Sequence, residues 1–232
     1  MGKILGIIGG IAPESTIAYY RLIVARYREV RQNGHYPRLI INSIDMKKML
    51  ALVGAGDLAG LTRYLAAEVN KLAAAGAEVG MLASNTPHIV FDEVSRNSTL
   101  PLISIVDATC EAAGRMGIRR IGLFGTRFTM QSRFYPDAFV RKGITVIVPE
   151  ADEQGYIHDK YMGELVNGVF LPETRNRLLA IAERMRTGDG IEGLILGGTE
   201  LPLILTGVPG GQMPFLDTTK LHVEKAISIA AR

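Results

Sequence analysis

The feature that most limits what this 232-residue chain can fold into is an alternation of two sequence textures. Short apolar runs rich in Ile, Val and Leu occupy residues 4–8, 39–44, 79–83, 121–125, 144–148 and 194–196. Longer segments of helical period lie between them. The segment 14–32 carries Ile17, Tyr20, Val24 and Tyr27 at +3/+4 spacing, and Leu58, Leu61, Leu65, Val69 and Leu72 form a second stripe. Strands that face water on one side alternate apolar and polar residues, whereas strands covered on both sides read as continuous runs. The expected class is therefore α/β, with parallel sheets flanked by helices. Pro13 stands where the first helix begins, a position that tolerates its fixed φ and missing N–H.

The chain also resembles itself at half length. A strand ending in a glycine turn occurs at Gly9-Gly10 and again at Gly125-Thr126. A strand ending in a small polar turn occurs at Ser84-Asn85-Thr86 and again at Gly198-Thr199-Glu200. The pattern predicts two similar lobes, each a parallel sheet flanked by helices, related by a pseudo-twofold axis with a cleft between them. One lobe is expected over residues 1–106 with 213–232, the other over 107–212. The crossover at Pro209-Gly210-Gly211 precedes one more short strand, and the last helix, from Thr218, returns to the first lobe. Loops at the carboxyl ends of strands are the usual ligand sites of open α/β sheets.

Composition removes several classes of function. There are 26 Lys and Arg against 23 Asp and Glu, scattered without a like-charged block, while aromatics are 6% and Trp is absent. A nucleic-acid surface concentrates basic residues, often with stacking rings, so none is expected. The one cysteine, Cys110, excludes an intrachain disulfide framework and a multi-thiolate metal site. His35, His88, His158 and His222 lack the spacing of a metal motif, so no metal is expected. No apolar run approaches the ~18 residues of a membrane span, and no leader pattern follows the glycine-broken run at 4–12, so the expected location is the cytoplasm.

Few residues carry chemistry. Gly9-Gly10-Ile11-Ala12-Pro13 has neither dinucleotide nor P-loop spacing. It reads as a small-anion site at a helix start or as a plain strand-to-helix turn. His88, four residues after Ser84, reads as a cleft neighbour or as a histidine satisfied by backbone. Lys47 and Lys48, after Asp45 and Met46, read as charge for an acidic ligand or as solvated lysines opening a helix. Asn85, Thr86, Thr126 and Thr199 offer donors and acceptors, and Glu200 offers a charge for an ammonium group. The competing role of these turn residues is to cap the next helix.

The runs Met81-Leu82-Ala83-Ser84-Asn85-Thr86-Pro87-His88 and Leu194-Ile195-Leu196-Gly197-Gly198-Thr199-Glu200-Leu201-Pro202-Leu203 resemble the two signatures of the aspartate/glutamate racemase family. Gly122-Leu123-Phe124-Gly125-Thr126-Arg127-Phe128-Thr129-Met130, followed by Phe134-Tyr135, is similar to the middle motif of its aspartate and broad-specificity amino-acid branch. The loop from Gly6 to Thr16 resembles that branch's amino-terminal loop. The resemblance implies a cofactor-independent site for a small amino acid or dicarboxylate between two α/β lobes, and a homodimer. Substrate contacts are then expected from Ala12, Met46, Asn85, Thr86, Thr126 and Thr199.

The family's reaction uses one cysteine in each signature, a thiolate that removes the α-proton and a thiol that protonates the opposite face. Those positions are Ser84 and Gly198 in this sequence. A thiol with pKa near 8.5 supplies thiolate readily, a serine hydroxyl needs a neighbouring base, and glycine supplies nothing. Two-thiol racemisation is therefore excluded. Cys110 is expected to be a small buried residue of the helix after Ile105-Val106-Asp107. Where some members carry a basic residue for a distal carboxylate, after Glu164-Leu165-Val166-Asn167-Gly168, this chain has Val169-Phe170-Leu171. The expected function is a racemase-family isomerase with weak or altered racemisation, in which Ser84, Glu200 or Asp45 takes part. The alternatives are an inactive small-molecule binding protein and a lyase or hydrolase using Ser84.

Overall fold

The computed structural model describes residues 2–205 and 213–231, which fall into two compact units, Met1–Ile105 with His222–Arg232 and Val106–Leu221. The first unit runs β1 (Leu5–Gly9), α1 (Pro13–Arg31), β2 (Leu39–Ser43), α2 (Met46–Gly54), α3 (Leu58–Ala74), β3 (Val79–Leu82), a 3-10 turn (Thr86–Val90), α4 (Phe91–Arg96) and β4 (Leu102–Ile103). The second runs α5 (Ile105–Arg115), β5 (Arg120–Gly125), α6 (Arg127–Gln131), α7 (Phe134–Val140), β6 (Thr145–Ile147), α8 (Ala151–Gly163), a 3-10 turn (Leu165–Asn167), α9 (Pro172–Gly188), β7 (Gly193–Gly197), α10 (Leu201–Leu205), β8 (Phe215–Asp217) and the start of α11 (Thr218–Ala230). Each unit holds a four-stranded, all-parallel sheet, in the orders β2-β1-β3-β4 and β6-β5-β7-β8. The α/β expectation with two parallel sheets holds.

Burial explains why the strands were visible as continuous runs. Every residue of β1, β3 and β7 is buried. In β1, Leu5 and Ile7 pack with Tyr19, Ile23 and Tyr27 of α1 and Val223, Ala226 and Ile227 of α11. In the second unit Phe124, Leu194 and Leu196 pack with Ile157 and Tyr161 of α8, Leu178, Ile181 and Met185 of α9, and Leu201 and Ile204 of α10. At about 25 cal/mol per Å2 of apolar surface, covering both sheet faces is the main force holding each layer together.

Three expectations change. The buried stripe of α1 is Ser15, Tyr19, Ile23 and Tyr27, one residue round from the expected face, and Ile17 and Tyr20 are exposed. The helix has apolar residues on two sides, so +3/+4 spacing alone selects either. In α3, Leu61, Leu65, Val69 and Leu72 are buried as the stripe requires, while Leu58 is exposed. The division of the chain also shifts: β8 pairs with β7, so Phe215–Asp217 and the first turn of α11 go with the second unit, and only His222 onward returns to the first. The Pro209-Gly210-Gly211 crossover lies outside the described residues. Among the described residues no helix is long and apolar enough to cross a membrane.

Candidate functional site

Parallel strands send their carboxyl ends to one edge of a sheet, and the candidate residues follow those ends. In the first unit Ala12 follows β1 and caps α1, Met46 opens α2 after β2, and Ser84, Asn85 and Thr86 follow β3. In the second unit Thr126 follows β5, and Gly198, Thr199 and Glu200 follow β7. The register sets each central pair side by side, Ile8 beside Leu82 and Gly125 beside Gly197. Each unit thus brings its own candidates to one sheet edge.

The β1 turn is packed tightly. Gly10 has φ of 82°, and a Cβ there would lie 2.8 Å from Ser43 Oγ and 2.9 Å from the Ile44 nitrogen. Its N–H donates to Thr16 Oγ1 at 2.8 Å, and Ile44 N–H donates to the Gly9 carbonyl at 2.9 Å. Of the two readings of this loop, these bonds support the strand-to-helix turn. Asp45 does the same for α2, its carboxylate accepting from Lys47 N–H at 2.9 Å and Lys48 N–H at 3.3 Å. Both lysines are exposed, and Lys48 Nζ sits 4.5 Å over the Tyr64 ring.

At the end of β3, Ser84 is half-buried and Asn85 and Thr86 are buried. His88 is fixed from both sides of its ring. Nδ1–H donates to the Ser84 carbonyl at 2.9 Å, and Nε2 accepts the Ile105 N–H at 3.2 Å. Since a carbonyl only accepts and an amide only donates, the ring is the neutral Nδ1–H tautomer. His222 has the opposite tautomer: Nε2–H donates to the Ile103 carbonyl at 2.9 Å and Nδ1 accepts from the Tyr19 hydroxyl at 2.9 Å. Burial, and for His88 the neighbouring His222, disfavours the charged rings, pushing His88 down to about 3 and His222 to about 4. His88 is therefore a backbone-satisfied histidine, and neither nitrogen is left to act on the Ser84 hydroxyl.

In the second unit Thr126 caps α6, its Oγ1 accepting the Thr129 N–H at 3.3 Å. After β7 the chain builds a polar cluster. Tyr161 O–H donates to Glu200 Oε2, and the Thr199 hydroxyl donates to the same oxygen at 2.7 Å. Glu200 is 3% exposed and Tyr161 7%. Burial and the adjoining carboxylate raise the Tyr161 phenol well above its usual range, so it is protonated at neutral pH. A Cβ at Gly198 would lie 2.6 Å from the Tyr161 hydroxyl oxygen and 2.8 Å from Cζ. The phenol of Tyr161 thus occupies the space that a side chain at 198 would enter.

Sequence reasoning missed Tyr161, which stands on another helix. Its available signal was the +4 spacing of Glu153, Ile157 and Tyr161 on the buried face of α8. Cys110 is buried in α5, its Sγ 3.8 Å from the Ala138 carbonyl, with burial pushing the thiol up. Glu164 accepts from Lys160 and from the Thr174 hydroxyl at 2.6 Å, and Val169 and Phe170 beyond it are exposed.

Two parallel sheets in one chain, each with polar turns at the strand ends, define an α/β class shared with solved racemase structures. A provisionally assigned Asp/Glu racemase from Yersinia pestis matches with TM-score 0.91 at 33% identity, covering 99% of this chain and all of that one. An aspartate racemase homologue from Pyrococcus horikoshii matches with TM-score 0.84 at 36% identity over the full length of both. The fold of an aspartate racemase from Picrophilus torridus is also similar, with TM-score 0.78 at 20% identity over 99% of this chain and 95% of that one. The model of the Asp/Glu/Hydantoin racemase family matches residues 8–226, and the chain belongs to that family.

Proposed function

We propose that this chain is a cofactor-independent binding protein for a small amino acid or dicarboxylate, an aspartate/glutamate-type racemase relative in which two-thiol racemisation has been replaced by weak or altered chemistry. The observation that carries the reading is the pair of residues at the equivalent strand-end turns. Ser84 follows β3 and Gly198 follows β7, and Cys110, the sole thiol, is buried in α5. In this reading Asn85, Thr86, Thr126 and Thr199, with Ala12 and Met46, are the candidate contacts to the α-carboxylate and ammonium of a ligand. Hydrolysis through Ser84 is not favoured, because both His88 nitrogens are bonded to backbone. The reading includes a cytoplasmic homodimer, tested by light scattering of the purified protein.

The deciding experiment pairs thermal unfolding with chiral chromatography, using both enantiomers of aspartate and glutamate together with malonate. A ligand at 100 times its Kd stabilises the folded state by about 2.7 kcal/mol. The expected result is a rise in Tm with at least one ligand and little interconversion of enantiomers. Interconversion as fast as in thiol-bearing relatives, or no rise with any ligand, refutes the proposal.

A further inference from the structure

The first sheet has chemistry at its other edge as well. Lys3 precedes β1 and Arg38 precedes β2, so both stand at the amino ends of the strands, whereas the candidate turns follow the carboxyl ends. The five residues of β1, at about 3.3 Å each, set the two edges about 16 Å apart. A cavity of about 380 Å3 opens at the amino edge, and Gly2, Lys3, Tyr27, Arg31, Tyr36 and Arg38 are among the residues that line it. Three of these are permanent cations, and no carboxylate lines the cavity. Among the described residues the Lys3 side chain has no ion pair. Arg31 donates from Nη1 to the Ala231 carbonyl at 2.9 Å, while its Nε is buried without a partner. Arg38 donates from Nη2 to the Gly2 carbonyl at 2.8 Å and stands 3.8 Å from Glu78 Oε2, an oxygen that already accepts the Ile4 N–H at 2.7 Å. Both partners of that ion pair are 49% exposed, so it neutralises Arg38 only weakly.

Basic residues in the last turn of a helix offset its dipole, which accounts for Arg28 and Arg31 at the end of α1 but not for Lys3 and Arg38 on two other segments. Tyr27 is an independent sign of a ligand. It is 6% exposed and lines the cavity, yet among the described residues no hydrogen bond engages its hydroxyl. A Cβ on Gly2, across the same cavity lining, would lie 3.4 Å from that oxygen. A tyrosine so deeply buried normally finds a partner for its O–H, and here the cavity is where one fits. We propose that this cavity binds a phosphate monoester of a small ring-bearing molecule. Guanidinium groups pair with phosphate or carboxylate, but three cations and a phenol reaching in from three chain segments match the three oxygens and double charge of a phosphate better than a planar carboxylate. Pockets of this size take molecules larger than a lone phosphate. The Tyr36 ring, 62% exposed with Arg28 Cζ 5.5 Å over it, offers a flat surface for the rest of such a molecule. The proposal is independent of the amino-acid reading, whose candidate residues lie at the other edge of the sheet.

The test is isothermal titration calorimetry of the full chain at fixed, low ionic strength with phenyl phosphate, inorganic phosphate and phenylacetate. Phenyl phosphate is expected to bind at one site per chain, more tightly than inorganic phosphate, which lacks the ring, and than phenylacetate, which lacks the second charge. Tyr27→Phe removes only the hydroxyl and is expected to weaken phenyl phosphate at least about tenfold, the usual effect of losing a hydrogen bond to a charged group. Lys3→Met removes an exposed cation and is expected to weaken it about two- to fivefold. That variant breaks no side-chain bond among the described residues, so it carries the comparison if Tyr27→Phe does not fold. No saturable heat with phenyl phosphate, equal or tighter binding of phenylacetate or inorganic phosphate, or a Kd unchanged in the folded variants overturns the proposal.

Discussion

Gly198→Ala is a single methyl placed where the structure has a ring. The new Cβ would lie 2.6 Å from the Tyr161 hydroxyl oxygen and 2.8 Å from Cζ, distances a carbon does not tolerate. Tyr161 is 7% exposed and tied to Glu200, so the ring yields only by breaking that bond or disturbing its neighbours in the core. Overpacking of this kind costs about 1–3 kcal/mol. Tyr161→Ala alone leaves a cavity and costs about 3–5 kcal/mol, as for other large aromatics. In the double variant the clash is gone, and alanine at 198 is expected to stabilise by about 0.4–1 kcal/mol because Gly198 does not use the left-handed backbone region. The cycle therefore predicts a coupling of about 1.4–4 kcal/mol between the two positions. Urea unfolding of the parent and three variants, followed by far-UV circular dichroism, measures it. Additivity within about 0.5 kcal/mol would refute the packing argument. A positive result also means that restoring a thiol at 198 requires a smaller residue at 161, so Ser84→Cys with Gly198→Cys in the parent background would place the new sulfur against the ring.

Acid should destabilise the protein through its buried histidines. His88 and His222 stay neutral when folded down to about pH 3 and 4, but protonate near 6.5 once unfolded. As pH falls through 6.5 the unfolded state takes up protons that the folded state does not, so each ring lowers stability by about 2 kcal/mol between pH 7 and 5. Equal urea midpoints at the two pH values would contradict this. Arg184 donates to both oxygens of Glu153, at 2.8 and 2.6 Å, and to Asp189 at 2.8 Å. Glu153 is 6% exposed but the Arg184 side chain is 32% exposed, so Arg184→Met is expected to cost about 2 kcal/mol, below the ~3–5 of a fully buried pair. Chemical denaturation reads this directly. Asp45→Ala removes the cap of α2 and should cost about 1 kcal/mol in the same assay.

Much of this architecture was legible because both faces of the sheets are covered. Leu5–Gly9, Val79–Leu82 and Gly193–Gly197 are buried throughout, so no polar residue interrupts them. The edge strand Leu102–Ile103 was not legible, since two residues carry no period. The buried face of α1 was misread because Ile17 and Tyr20 mimic a core stripe while pointing outward. The candidate turns were visible as small polar residues after apolar runs, but their internal bonds were not. The tautomers of His88 and His222 depend on partners as distant in sequence as Tyr19 and Ile103. Tyr161 was hidden for a similar reason: a glycine announces missing volume without saying which helix fills it.

The strand order found in the first sheet recurs, element for element, in the second. A half-length gene copied and joined to itself would leave that mark. Each half has a buried layer of its own, so copies made that way would be free to drift apart. Ser84, after the third strand of one half, and Gly198, after the third strand of the other, would then have separate histories, which ancestral reconstruction along each half would trace.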